Sequence, residues 1–283
     1  MPELPEVETV RRLIEPHVAG QRIETVDLRA FAGAIETTLP GEPASWLAGR
    51  TIERANRRGK YLQFPLDDGN TMVVHLRMTG RLLVLPPDAP PVRFEHVRMG
   101  LSSGEDLRFA DQRKFGRISI STPQDIDRLA SRLGPEPLSA DLTAEGLHHA
   151  LQRRTGSIKG ALLDQGLIAG LGNIYVDEAL WAARIHPLAR ANGLGVDRIG
   201  VLLAAIREVL LAAIANQGTS FSTFENPYGE AGSNARSLKV YGRARGAGVC
   251  ERCGTPLERL VVAGRGTTVC PTCQVPVSGG EAQ

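Results

Sequence analysis

Long apolar runs are missing from this chain of 283 residues, and no stretch approaches the roughly 18 to 20 residues needed to span a membrane. The first residues also lack a basic segment followed by an apolar one, so no export signal is read there and a cytoplasmic location is expected. Lysine is rare beside arginine: Lys60, Lys114, Lys159 and Lys239 are the only lysines. Arginine does not exchange protons near neutral pH, whereas a lysine with a lowered pKa does, so each lysine becomes a candidate for a special role. Cysteine is limited to four residues, all close to the C-terminus. A net charge of +2 says little about partners by itself. The distribution is more informative, because Arg57-Arg58-Gly59-Lys60, Arg113-Lys114, Arg153-Arg154 and Arg243 to Arg245 form separate basic islands. If these converge on one face they make a footprint for a polyanion.

The length suits one large or two ordinary domains. After an N-terminal amphipathic segment, short alternating runs follow at 22–28, 51–55, 61–66, 71–76, 81–85, 97–101, 107–110 and 117–120. Turn pairs such as Asp68-Gly69 and Ser103-Gly104 separate several of them, which implies an antiparallel β-sandwich over residues 1–120. A Pro-rich hinge is expected at 121–142, with one helical piece from Ile126 to Leu133. Helical patterns then cover 143–153, 158–165, 173–185 and 196–216, followed by an aperiodic loop from Gln217 to Lys239. These make a helical domain at 143–239, and residues 240–283 form a terminal module. The chain is thus of α+β, multidomain class.

That terminal module carries the strongest chemical signal. Cys250-x2-Cys253, sixteen residues and Cys270-x2-Cys273 have the spacing of a tetrathiolate zinc ribbon on a β-hairpin. Two disulfides would need an oxidising compartment that nothing here indicates. Four protein ligands leave no open position, so the metal is expected to be structural. Arg265, between two glycines at the hairpin tip, is placed to clamp a phosphate. In the Gly-rich run 166–172, a helix capped by Asn173 is expected to present free N–H groups to an anion.

At the other end stands Met1-Pro2-Glu3-Leu4-Pro5-Glu6. Removal of Met1 would expose a secondary amine whose pKa, about 8 for an α-amino group, leaves a sizeable nucleophilic fraction at neutral pH. Its attack on an aldehyde-like carbon gives an iminium, an electron sink. Pro5 suits a first helical position, and Val7, Val10 and Ile14 recur at helical spacing, so the terminus is anchored. Lys60 begins a strand with an outward amine, and two turns expose apolar side chains: Met78, and Phe115 beside Arg113. Such tips suit insertion into a base stack.

Together the Pro2-Glu3-Leu4-Pro5-Glu6 start, Gly59-Lys60, Met78, Arg113 and Phe115, Gly172-Asn173-Ile174-Tyr175, Val240-Tyr241-Gly242-Arg243 and the four cysteines closely resemble the bacterial formamidopyrimidine-DNA glycosylase family. The resemblance runs the whole chain in order. It implies a bifunctional DNA glycosylase/AP lyase of base excision repair, acting on duplex DNA with oxidised purines or abasic sites. It also implies a helix-two-turns-helix module, one structural Zn²⁺ per chain, no catalytic metal or organic cofactor, and a monomer in the bacterial cytoplasm, nucleoid-associated, without membrane contact. By matching position, Pro2 resembles the Schiff-base nucleophile, Glu3 the acid assisting sugar-ring opening and Glu6 a supporting acid. Lys60 resembles the lysine assigned to proton transfer in β-elimination, and Arg265 the hairpin arginine assigned to δ-elimination. Asn173, Lys159 and Arg154 resemble phosphate contacts, and Met78, Arg113 and Phe115 the trio filling the void left by a flipped base.

Two departures are visible. The family commonly has a His-x-His pair where this chain reads Phe94-Glu95-His96, and a basic residue and a Gly-Tyr-Phe-like segment where it has Ser222 and Gly232-Ser233-Asn234. The latter lie in the loop thought to cover the flipped base. The sister class resembling endonuclease VIII, selective for oxidised pyrimidines, usually reads Pro-Glu-Gly-Pro-Glu and lacks the Arg-x-Phe turn. A non-catalytic zinc-ribbon DNA binder has no use for an N-terminal amine.

Overall fold

The computed structural model describes residues 2–221 and 224–276. The chain divides into two compact units, Met1–Arg132 with Ala213–Ala235, and Leu133–Ala212 with Arg236–Gln283. The end of the long helix from Ala213 and the loop after it as far as Ala235, grouped by sequence with the helical domain, therefore belong to the first unit.

The first unit is a two-sheet sandwich with helix α1 (Leu4–Val18) before it and α2 (Pro123–Arg132) after it. Its strands are β1 (Ile23–Leu28), β2 (Ile35–Thr37), β3 (Asn56–Arg58), β4 (Tyr61–Pro65), β5 (Thr71–His75), β6 (Gly80–Leu85), β7 (Glu95–Leu101), β8 (Asp106–Asp111) and β9 (Arg117–Ser121). One sheet has the order β1-β7-β8-β6 and the other β2-β9-β5-β4-β3. Neighbouring strands run antiparallel except β2 and β9, which run parallel. Alternation explains the inward set: in β4, Leu62 and Phe64 are buried while Tyr61, Gln63 and Pro65 are half-buried. Leu62, Phe64, Met72, Val74, Leu82, Val97, Phe109 and Ile118 share one core with Val7, Val10 and Ile14 of α1. Helix α1 packs on β3 and β4 of one sheet and β6 of the other.

Where the sequence suggests a strand at 51–55, Thr51 and Ile52 make only isolated bridges, to Arg22 and Leu66. Strands β2 and β3 have three residues each, too short to show a period of two.

The second unit carries α3 (Ala144–Gln152), α4 (Ile158–Leu163), α5 (Asn173–Ala182), most of α6 (Val196–Ala215) and a hairpin of β10 (Glu258–Val262) and β11 (Arg265–Val269). Thr143 and Ser157 cap α3 and α4 by accepting the N–H groups of Gly146 and Gly160. The turns between α4 and α5 are held by Gln165, whose Nε2 donates to the carbonyls of Leu163 and Leu171 and whose Oε1 accepts the N–H of Gly170. Among the described residues no helix is long and apolar enough to cross a membrane.

One polar junction joins α1 to the sheet. Glu8 accepts from Arg11, Arg12 and Arg57, and Arg57 donates onward to the carbonyl of Gly59 at 2.9 Å. Burial alone would raise the Glu8 carboxyl, but the three guanidinium groups hold it down at about 2, against 4.5 ordinarily. A depressed carboxyl stabilises the fold above its unfolded pKa and loses that contribution as pH falls through the folded value. Glu8→Gln is therefore expected to cost about 1–2 kcal/mol near neutrality, allowing for partial solvation. It should also flatten the fall in stability between pH 4.5 and about 2, as read by denaturant titrations across pH.

Candidate functional site

Pro2 and Glu3 are both buried at the mouth of α1, Glu3 with 2% of its surface exposed. They are held by Glu6, itself 1% exposed. One Glu6 oxygen accepts the backbone N–H of Glu3 at 2.8 Å and the other accepts that of Thr219 at 2.7 Å. Both carboxylate oxygens thus bind backbone, which makes Glu6 a strut between the helix start and the long loop. Gly218 permits this close approach: its φ is +83°, and a Cβ there would lie 3.1 Å from Glu6 Cγ and 3.0 Å from the Phe224 ring.

The same loop is fastened at further points of its own unit. Thr219 bridges Ser233, Asn234 Nδ2 donates to Thr219 Oγ1 at 2.8 Å, and Val84 N–H donates to Pro227 at 3.0 Å. Arg81 pairs with Glu225, and His17 contacts both Glu105 and the Tyr228 hydroxyl. Gly232, Ser233 and Asn234 are thus part of the loop's closure. Ser222, like Met1, lies outside the described residues.

Lys60 does not start a strand with an outward amine, as its sequence position suggests. It occupies the two-residue turn Gly59-Lys60 between the paired Arg58 and Tyr61, and only 7% of it is exposed. Gly59 supplies φ +57° at the first turn position, the requirement of a type II′ hairpin. The Glu8–Arg57–Gly59 chain anchors this turn to α1. Opposite Tyr61 stands His75, whose Nδ1 accepts the N–H of Arg77 at 2.9 Å. Burial first, then the charges of Arg77 and Lys60, press the imidazole down to about 3, so it is neutral at physiological pH.

The three expected wedge residues meet. Arg113 lies 4.8 Å over the Phe115 ring and donates to Met78 Sδ at 3.0 Å. Phe115 is 50% and Met78 39% exposed, unusual for their type. Buried Asp111 builds the arrangement: its oxygens accept the N–H groups of Arg113, Phe115 and Gly116 and the hydroxyl of Thr79, next to Met78. Sequence spacing gave no signal for Asp111 beyond its place ahead of the turn.

In the second unit, the N-cap of α5 is Gly172, so Asn173 is the first helical residue and not the cap. Its Nδ2 donates to the Gly266 carbonyl at 2.9 Å, while its Oδ1 is buried without a hydrogen-bond partner in the described structure. Arg265 opens β11 exposed, after a turn in which Ala263 (φ 50°) and Gly264 (φ 70°) are both left-handed.

Lys159, expected at a phosphate, has no exposed surface. Its ammonium is held by Asp177 at 2.6 Å and Thr267 Oγ1 at 2.7 Å. Asp177 also accepts the N–H of Thr268 at 3.0 Å, so the pair ties α4 and α5 to the hairpin that carries Arg265. Burial pushes the Asp177 carboxyl up to about 6, against the pull of Lys159. Arg154, the other basic residue expected at phosphate, pairs with Asp164 at 2.6 Å and is partly exposed.

The four thiols converge. Sγ atoms of Cys250 and Cys273 lie 3.9 Å apart, those of Cys253 and Cys270 3.5 Å, and all four within 4.8 Å of one another. Tetrahedral coordination at about 2.3 Å separates sulfurs by about 3.8 Å, so the set fits zinc and leaves no position open. Trp181 Nε1 donates to Cys250 Sγ at 3.3 Å, and Arg252 stacks 4.2 Å over the Trp181 ring.

Three family models match in order: the formamidopyrimidine-DNA glycosylase N-terminal domain at residues 1–118, its H2TH domain at 133–225, and a zinc finger found in FPG and IleRS at 248–275. The chain belongs to the formamidopyrimidine-DNA glycosylase family. It is 46% identical to the formamidopyrimidine-DNA glycosylase of Herpetosiphon aurantiacus over 97% of this chain and 100% of that one. Against its counterpart from Nocardioides sp. it is also 46% identical, over 97% and 94%. The Lactococcus lactis glycosylase bound non-covalently to DNA with an AP site superposes with a TM-score of 0.85 at 40% identity, covering 96% of this chain and 99% of that one. A Lactococcus lactis mutant enzyme in complex with Fapy-dG-containing DNA gives 0.88 at 38%, covering 97% and 100%.

Two outcomes follow for this family member. Lys159→Met leaves Asp177 buried without its cation and is expected to cost about 3–5 kcal/mol, of which the double variant with Asp177→Leu recovers a large part, as read by chemical denaturation. Cys250→Ala is expected to lose bound metal and DNA affinity while the near-ultraviolet and amide-exchange signatures of the β-sandwich persist; unchanged affinity in a metal-free variant would contradict the ribbon's role.

Proposed function

We propose that this protein is a bifunctional DNA glycosylase and AP lyase of base excision repair, which removes oxidised purines from duplex DNA and cuts the strand. The observation that carries the reading is the buried Pro2-Glu3 terminus, fixed through Glu6 to the loop at Thr219. A pure binding protein has no need to immobilise a terminal amine.

Once Met1 is removed, the Pro2 nitrogen attacks C1′ of the damaged nucleoside and the base departs. Glu3 assists opening of the sugar ring by proton donation. The resulting iminium makes the C2′ hydrogens acidic; loss of one expels the 3′ phosphate by β-elimination, and a second elimination expels the 5′ phosphate. Lys60, in its rigid turn beside neutral His75, transfers protons in the first elimination. Arg265 grips phosphate during the second. Such proton-transfer assistance contributes typically about 10²- to 10⁴-fold. Glu6 acts by position, since both its oxygens bind backbone.

Met78, Arg113 and Phe115 fill the space left by the extruded base, and Asn173 and Arg154 contact phosphates. Lys159 supports them from within. One zinc ion per chain sits in the ribbon, where it contributes folding energy and no reaction step, and the chemistry uses neither a catalytic metal nor an organic cofactor. The protein works as a monomer in the cytoplasm, at the nucleoid.

Borohydride reduction in the presence of an 8-oxoguanine duplex is expected to trap a covalent complex through Pro2. An N-terminal extension should abolish trapping without altering the fold, and Lys60→Ala should slow strand cutting by about 10²-fold or more. No trapping by a chain with confirmed free Pro2 and bound metal would refute the enzymatic reading. Faster release of thymine glycol than of 8-oxoguanine would instead assign it to the pyrimidine-selective class.

A further inference from the structure

Seven residues other than glycine adopt positive φ among the described ones, and three of them gather around Asp111: Arg77 (φ 53°), Phe94 (φ 63°) and Lys114 (φ 57°). Hydrogen bonds join their segments. Thr79 donates to Asp111, and Asp111 donates its N–H to the Phe94 carbonyl at 3.0 Å. The Asp111 carbonyl also accepts from His96 Nε2 at 2.7 Å. The turn before β6, the entry to β7 and the turn after β8 thus form one edge of the sandwich.

This edge presents four cations to solvent. Arg77, Arg93, Arg113 and Lys114 are all exposed, and none forms a salt bridge among the described residues. Elsewhere in the same unit guanidinium groups are matched: Arg57 with Glu8, Arg81 with Glu225, Arg98 and Arg108 with Asp106. Two of the unmatched arginines lie over aromatic rings: Arg113 at 4.8 Å from Phe115 and Arg93 at 4.6 Å from Phe94. Arg93 is further steadied by its own carbonyl, which accepts from Arg81 Nη2 at 3.1 Å.

A solvent-exposed cation–ring contact is weak, and a left-handed phenylalanine is costly, so the Arg93–Phe94 pair is poorly explained as a source of stability. It does keep an exposed guanidinium against the Phe94 ring, where a phosphate can reach its N–H groups. A base-reading role would call for a longer reach into a groove, whereas Arg93 sits on the sandwich rim with its guanidinium against the Phe94 ring.

We infer that Arg93, braced on Phe94, is a DNA-backbone contact that binds a phosphate of the duplex beside the segment engaged by Met78, Arg113 and Phe115. The inference rests on the DNA-repair reading and extends its binding surface by a residue that acts through position and charge. Phe94 is a positioning residue for the guanidinium.

The test uses the full-length protein and a duplex containing tetrahydrofuran as a stable abasic analogue, with affinity measured through a sodium chloride titration. For Arg93→Gln the slope of log K against log salt is expected to fall by about one in magnitude. Affinity at moderate salt should weaken about fivefold, with single-turnover cleavage of an 8-oxoguanine duplex unchanged at saturating protein. Phe94→Leu, which keeps an apolar side chain but removes the ring, should move the slope the same way by less. Arg54→Gln, whose parent is exposed and paired with Glu53, should leave it unchanged. An Arg93→Gln slope equal to that of the parent overturns the contact. A parent that binds duplex with the predicted Arg93 dependence but cleaves no lesion overturns the glycosylase reading and leaves the contact standing; a parent that binds no duplex overturns both.

Discussion

A chain terminus is ordinarily the least ordered part of a protein, and a nucleophile placed there works only if its freedom is removed. Glu6 removes it. With one oxygen on the N–H of Glu3 and the other on that of Thr219, this carboxylate fixes the residue after Pro2, the proposed nucleophile, and the start of a loop more than two hundred positions later. The constraint explains why Gly218 must be glycine, since a side chain would meet Glu6 and Phe224. It explains too why the first turn of α1 is buried on nearly all sides and not only on its apolar stripe. Preorganisation of this kind lowers the cost of orienting the amine before any substrate is present.

The same device recurs. Asp111 collects the backbone of one wedge turn and the hydroxyl of the other, Asp177 joins Lys159 to the hairpin strand, and Glu178 accepts three successive N–H groups from Lys239, Val240 and Tyr241. In each case a buried acid organises a turn or segment that carries an exposed cation or an apolar tip. Buried carboxylates need such donors to offset desolvation, and the donors they use are backbone groups that a turn would otherwise leave unsatisfied. The side chains proposed to act therefore sit on loops whose shape is set from beneath. Arg265, Arg113 and Met78 share that arrangement within their own units.

The strands with clear alternation, the helices with Thr or Ser caps and the cysteine ribbon were legible because their determinants are local. Strands β2 and β3 were not, since three residues show no period, and the grouping of residues 213–235 with the sandwich depends on contacts with Glu6, Val84 and Arg81 that spacing cannot display. Lys159 is instructive. The rarity of lysine marked it as special, but its partner Asp177 is a full α4–α5 connection away, and only the fold shows that the amine points inward. The alternation of Tyr61 to Leu66 suggests a strand that starts at Lys60; Gly59 moves Lys60 into the turn. At Asn173 the helix begins one residue earlier than the Gly-rich run suggests, a shift that converts a cap into a side chain reaching Gly266.

Net charge misleads for a related reason. At +2 the chain looks nearly neutral, yet many of its arginines are matched internally: three converge on Glu8, two on Asp106, and Arg243 meets Glu251. A matched pair projects little field beyond a Debye length, about 8 Å at physiological salt. What a polyanion senses is the remainder, and in the first unit that remainder gathers on the edge around Asp111, where Arg77, Arg93, Arg113 and Lys114 stand on strained turns. Because each phosphate contact releases about one counterion, the strength of this edge is a steep function of salt even though the whole protein is barely charged. Asp111, one of the acids that lower the net charge, holds the backbone of the turn that carries Arg113 and Lys114.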